Sequence, residues 1–180
     1  KVDLRALPDT ARAGASGTDV APSPRATVPV PAGFVPGVLQ AEGATLATRF
    51  AESAARHAER TAVRDGAEEV TYRALQERAD RWAGALRAWR GTAAEPLALL
   101  VGKSPAFLAA CLAAWQTGAI VVPLDPRYPR ARLAGVCTDA GVRHLLADDA
   151  HAAQGRELAG EGLLTTADLD DGATAPAAPA

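Results

Sequence analysis

Three short strand-like runs, Leu97 to Val101, Ala119 to Pro123 and Arg143 to Ala147, are separated by two stretches with helix signals. The first two runs are apolar at successive positions and lack the alternation of a strand with one wet face. Such runs suit strands covered on both faces, as in a parallel sheet. Parallel neighbours need a crossover of roughly a dozen residues or more, and the intervening stretches provide it. Ser104 and Pro105 combine a cap with a first-turn proline, opening a helix that stops at Gly118. That helix is expected to bury Phe107, Leu108, Cys111, Leu112 and Trp115. Pro129 opens the next helix, which ends near Gly141. Strand, helix, strand, helix, strand with short connections specifies an α/β fold, a partly parallel sheet with covering helices.

Upstream of this unit, Thr45 can cap a helix to about Glu59 whose apolar stripe is Leu46, Phe50, Ala54 and Ala58. Ala62 to Arg64 and Glu69 to Thr71 read as a strand pair about an Asp65-Gly66 turn. Tyr72 to Trp89 is strongly amphipathic, with Leu75, Ala79, Trp82, Leu86 and Trp89 on one face and Gly91 past its end. The patterned region therefore runs from 45 to 168, without an internal repeat. Residues 9 to 44 hold Pro22, Pro24, Pro29, Pro31 and Pro36 among glycines and lack periodicity, as expected of a semi-extended linker. Residues 169 to 180 read as a flexible tail.

Several function classes are disfavoured by composition. Of the 180 residues 48% are hydrophobic, but 44 are alanine, so the core is lean. A net charge of −2 with a pI near 5.9 argues against a nucleic-acid binder, which needs a basic face. No run approaches the roughly 18 apolar residues of a membrane span, and the first ten residues have no signal-peptide core. A cytoplasmic location is expected. Cys111 and Cys137 read as small core residues, and they are too few for a structural zinc site without further ligands, which His57, His144 and His151 are not spaced to supply. With no Met in the sequence, Lys1 is expected to be an internal residue of a longer chain.

Candidate sites are few. Gly102-Lys103-Ser104 follows a strand and precedes a helix, where a phosphate loop would sit. The full pattern needs a glycine where Leu97 stands, and Pro105 removes an amide, so a helix cap with an exposed lysine is the better reading. There is no Gly-x-Gly-x-x-Gly after a strand and no Gly-x-Ser-x-Gly elbow. Asp148-Asp149 and Asp168, Asp170 and Asp171 read as solvated charge. His57 and His144 read as structural or exposed. No metal site and no catalytic constellation emerges.

Val70-Thr71-Tyr72-Arg73-Ala74-Leu75 resembles the first core motif of the adenylation domains of nonribosomal peptide synthetases. That motif reads leucine, threonine or serine, tyrosine, any residue, glutamate, leucine, and Ala74 departs from its glutamate. Trp115 to Pro126, with Gly118 and Pro123-Leu124-Asp125-Pro126, resembles the second core motif. Arg127-Tyr128-Pro129, Arg132-Leu133 and Asp139-Ala140-Gly141 continue the family's pattern at its spacing, so the resemblance covers residues 45 to 168. It implies part of the N-terminal subdomain of an adenylate-forming enzyme, where these motifs are architectural. The family's phosphate loop, substrate pocket and ribose aspartate are expected beyond Ala180. A free-standing acyl-CoA or aryl-acid ligase shares the fold, but Pro-Leu-Asp-Pro followed by Tyr128-Pro129 argues against it.

Lys1 to Pro8 resembles the last core motif of an adenylation domain, in which Lys-Val-Asp-Arg follows an asparagine-glycine pair. Leu4 departs from the arginine. The family's lysine contacts the ATP phosphates and the substrate carboxylate, and Lys1 matches it as the end of an upstream domain. The resemblance implies ATP and Mg²⁺ for the parent and phosphopantetheine on a partner carrier domain, none of them bound by this chain alone. Ser16 and Ser23 have no carrier role, since 9 to 44 is too short and proline-rich for that bundle. Expected partners are the remainder of the synthetase, carrier protein or tailoring domains, with no nucleic acid and no membrane. The chain is expected to be inactive in isolation; the alternative is a non-catalytic partial domain serving as a scaffold. Half a domain is also expected to be marginally stable or to associate with a partner chain.

Overall fold

A computed structural model describes residues 45–92, 94–159 and 162–171. The expectations for 1 to 8, including Lys1, for the linker 9 to 44 and for 172 to 180 lie outside the described residues.

Helix α1 (Leu46–Arg56) is capped by Thr45, whose hydroxyl accepts from the Thr48 amide at 3.2 Å. The hairpin β1 (Thr61–Asp65) and β2 (Glu68–Thr71) follows, with Gly66 at φ +58° in a loop of Gly66 and Ala67 rather than Asp65-Gly66. Helix α2 (Tyr72–Arg90) buries the predicted face, Leu75, Ala79, Trp82, Leu86 and Trp89. Then come β3 (Pro96–Leu100), α3 (Pro105–Gln116), β4 (Ile120–Pro123), α4 (Arg130–Ala140), β5 (His144–Ala147), α5 (Ala152–Ala159), β6 (Leu163–Thr165) and α6 (Thr166–Asp170).

The central sheet has the order β4-β3-β5-β6, and every neighbouring pair is parallel. Register places Leu99, Leu146 and Leu164 in one row across β3, β5 and β6. Because side chains alternate along a strand, this row and Leu97 face one side while Ala98, Leu100, Leu145, Ala147 and Leu163 face the other. The first face packs on α2, α3 and Leu169; the second packs on Leu124 and on Leu133 and Cys137 of α4. The sheet is thus the middle of three layers, as parallel sheets require. No helix of the described residues is long and apolar enough to cross a membrane.

Three expectations need correction. In α1 the buried positions are Ala47 and Ala54, while Leu46 is 65% exposed and the helix ends at Arg56. In α3 Cys111 and Leu112 are buried as expected, but Leu108 and Trp115 are 40% and 37% exposed, and Ala109, Ala110, Ala113 and Ala114 fill the seam with α2. Four alanines let two helix backbones approach closely, which turns the larger side chains outward. Ile120 is 54% exposed because β4 lies at the sheet edge, not in its interior.

Helix α6 reaches into the stretch read as tail. Leu169 is buried, and the Asp170 carboxylate accepts from Trp82 Nε1 at 2.8 Å and from Arg78 Nη2 at 2.6 Å. Gly155 in α5 lies directly over β5 and β6. A Cβ there would sit 2.9 Å from Leu163 Cδ1, 3.1 Å from Leu145 Cδ2 and 3.2 Å from Ala147 Cβ.

Candidate functional site

In open α/β sheets, ligands bind outside the carboxyl ends of the strands, where successive connections diverge. Here β3 connects to β4 on one side and β5 connects to β6 on the other, so divergence falls between β3 and β5. A cavity of about 550 Å³ opens at this edge. Val101, Phe107, Leu124, Pro126 and Tyr128 form its apolar walls, and Lys103, Asp125, Arg127 and His151 its polar lining.

Asp148 follows β5 and closes the crevice. Its Oδ2 accepts from the Gly102 amide at 2.7 Å, across from the end of β3. Its Oδ1 accepts from the His151 amide at 3.0 Å and lies 2.5 Å from His151 Nδ1. One carboxylate thereby joins the loops after β3 and β5. Asp148 is thus not the solvated charge expected of it but a partly buried cap and bridge.

Asp125, after β4, folds its own turn. Its Oδ1 accepts from the Arg127 amide at 3.0 Å, and its Oδ2 accepts from Arg127 Nη2 at 2.6 Å. The Arg127 side-chain bonds hold the Asp125 carboxyl well below the usual carboxylate range. Arg132 lies 4.4 Å from the Tyr128 ring centroid, and Pro129 accepts from the amides of Arg132 and Leu133 at the start of α4. These bonds fix Pro123 to Arg132 as a framework.

The Gly102-Lys103-Ser104 loop behaves as a cap. Ser104 Oγ accepts from the Phe107 amide at 3.4 Å, Lys103 is exposed, and the Gly102 amide is spent on Asp148. Among the described residues, no group of three or more His, Cys, Asp or Glu side chains could hold a metal ion. Cys111 and Cys137 are free thiols, and burial pushes Cys111 up to about 11 and Cys137 in the same direction. Both are inert core residues. His57 is exposed, His144 is buried and His151 is bonded to Asp148.

Both quoted motifs serve the architecture. Thr71 caps α2 by accepting from the Ala74 amide at 3.2 Å, and Tyr72 stacks on Phe50 with centroids 5.5 Å apart. Ala74 is therefore the third residue of α2, where a glutamate would complete a capping box. Gly118 takes φ +77°, a conformation in which an L side chain is strained, and so turns the chain from α3 into β4.

A family model described as AMP-binding enzyme matches residues 50–178. The chain belongs to the AMP-binding enzyme family. It is 41% identical over 122 residues to the N-(5-amino-5-carboxypentanoyl)-L-cysteinyl-D-valine synthase of Amycolatopsis lactamdurans, a match over 67% of this chain and 3% of that protein. It is 35% identical over 126 residues to the phosphinothricin tripeptide synthetase PhsC of Streptomyces viridochromogenes, covering 68% of this chain and 11% of that one. Among solved structures it resembles the N-terminal subdomain of Klebsiella oxytoca NpsA, with a TM-score of 0.63 and 25% identity over 73% of this chain and 34% of that one. The likeness to the N-terminal subdomain of a nonribosomal peptide synthetase adenylation domain holds in sequence and in fold. The chain spans only a small part of these synthetases. In the loop after β3 the Gly102 amide is bonded to Asp148, and among the described residues no group of three or more His, Cys, Asp or Glu side chains is placed to hold a metal ion.

Proposed function

We propose that this chain joins the end of one adenylation domain to the N-terminal subdomain of a second within a nonribosomal peptide synthetase. The parent activates an amino or related carboxylic acid with ATP and Mg²⁺ as an acyl-adenylate. It then transfers the acyl group to the phosphopantetheine thiol of a carrier domain in the same cytoplasmic assembly. One observation carries this reading: two motifs in register, Val70 to Leu75 and Trp115 to Pro126, occupy framework positions in a chain similar to peptide synthetases. Lys1 belongs to the upstream domain's last motif, where an ammonium stabilises charge developing on the α-phosphate. The 180-residue chain contributes framework and is inactive alone.

ATP–pyrophosphate exchange tests this with a panel of amino and aryl acids. The isolated chain is expected to stay at background, while a parent fragment extended to include the phosphate loop and pocket exchanges. Turnover by the isolated chain would overturn the assignment. Ala74 in place of glutamate supports a second reading, a non-catalytic partial domain serving as a scaffold. An extended fragment that folds yet exchanges with no acid would favour it.

A further inference from the structure

At the end of the sheet opposite the cavity, β5 begins with His144, which is 6% exposed. Neither of its ring nitrogens has a hydrogen-bond partner, and Trp89 Nε1 is likewise unpartnered. The two rings meet edge to face, with centroids 4.8 Å apart and planes at 82°. Beside them lies Arg90, 7% exposed, which donates to Thr117 Oγ1 at 3.4 Å and to the Glu95 carbonyl at 3.3 Å. The charged groups that act on the imidazole are Arg90 from α2, Glu95 from the connection into β3, and Arg143, which immediately precedes β5. Two cations thus stand against one carboxylate around a buried ring with no acceptor at hand.

We propose that His144 is a proton-operated latch between the C-terminal turn of α2 and the amino ends of β3 and β5. As a neutral ring it fits among Trp89, Arg90 and the strand ends. Protonation adds a second N–H and a full charge to a buried ring beside a guanidinium, and both are satisfied only when water enters. The turn after Trp89 and Arg90 must then lift, and the chain opens there first. Burial, and then Arg90, hold the imidazole below its ordinary pKa.

The sign follows by linkage. Unfolded chains take up a proton on this histidine below about pH 6.5, while the folded chain takes it up only at lower pH. In that window the unfolded state binds more protons, so stability falls with acid. For one proton the unfolding constant grows by up to about tenfold per pH unit. The carboxyls of Asp125 and Asp170 are both held low and lose their contributions only at more acid pH.

The test uses the full 180-residue chain in urea unfolding from pH 8 to pH 4.5, compared with His144→Phe, which keeps an aromatic edge against Trp89. His57 and His151 are common to both proteins, so their effects cancel. The parent is expected to weaken along the one-proton slope and the variant to lose that slope. In hydrogen exchange, the protection of Trp89 and Arg90 is expected to fall in acid before that of α4. Should the variant fail to fold, nitrogen chemical shifts of the His144 ring in the native chain decide directly. A ring still neutral at pH 6 supports the latch. A midpoint at or above about 6.5 in an intact fold, or equal slopes in both proteins, would overturn it.

Discussion

Replacing Gly155 with alanine sets two effects against each other at a known position. In a helix interior the change gains about 0.8–1.0 kcal/mol of propensity. The new methyl would meet three carbons at 2.9, 3.1 and 3.2 Å, all inside the roughly 3.5–4.0 Å of a favourable carbon pair. Leu163 and Leu145 can rotate, but Ala147 Cβ sits on the sheet backbone and has no rotamer to change. Overpacking of this kind costs about 1–3 kcal/mol. Net destabilisation of up to about 2 kcal/mol is therefore expected. Gly84 in α2 and Gly135 in α4 have no atom within 4 Å of the corresponding Cβ. Alanine there should stabilise by up to about 1 kcal/mol. Thermal unfolding of the three variants measures the difference, at roughly 3–5 °C per kcal/mol for a domain of this size. A Gly155→Ala melting temperature as high as that of Gly84→Ala would refute the close packing of α5 on β5 and β6.

Two further outcomes follow from the helix ends. Ala74→Glu restores an acid to the first turn of α2, where it meets the helix dipole and can complete the capping box. A gain of about 0.3–1 kcal/mol by urea unfolding is expected, screened by salt, and no gain at low salt would count against the cap geometry. Asp170→Ala strands the buried Trp82 indole N–H and the Arg78 guanidinium. After discount for exposure it should cost about 1–2 kcal/mol at pH 7. Burial alone would raise the Asp170 carboxyl, but the bonds from Arg78 and Trp82 outweigh it and hold it low. This contribution is therefore complete above about pH 3.9 and declines as pH falls towards the folded value. A parent–variant gap that does not narrow between pH 7 and pH 3 would contradict the assignment.

Legibility in the sequence tracked how one-sided each element's environment is. Helix α2 has one buried face and one wet one, so its stripe of Leu75, Ala79, Trp82, Leu86 and Trp89 is legible, with Ala83 and Arg90 buried beside it. Helix α3 is apolar nearly all round, so periodicity gave no phase, and alanine carries no sign of which way it points. Strand β4 shows the same apolar run as β3, yet only pairing reveals that β3 is central and β4 an edge. Beyond Ala147 the elements are short, and α5, β6 and α6 were not resolved as elements. A signal was present there: Thr165 accepts from the Asp168 amide while the Asp168 carboxylate accepts from the Thr165 amide, the Thr-x-x-acid form of a capping box. Asp148 is less legible still. Its partner Gly102 lies 46 residues away, and no local pattern announces a bond made by strand order.

That bond also sets one term in any competition for the crevice. A carboxylate tethered by a flexible chain already competes at an effective concentration on the order of millimolar, and here both ends are fixed by adjacent strands. The Gly102 amide is therefore held by an acceptor that cannot diffuse away. A free anion can reach that amide only by competing with the tethered carboxylate.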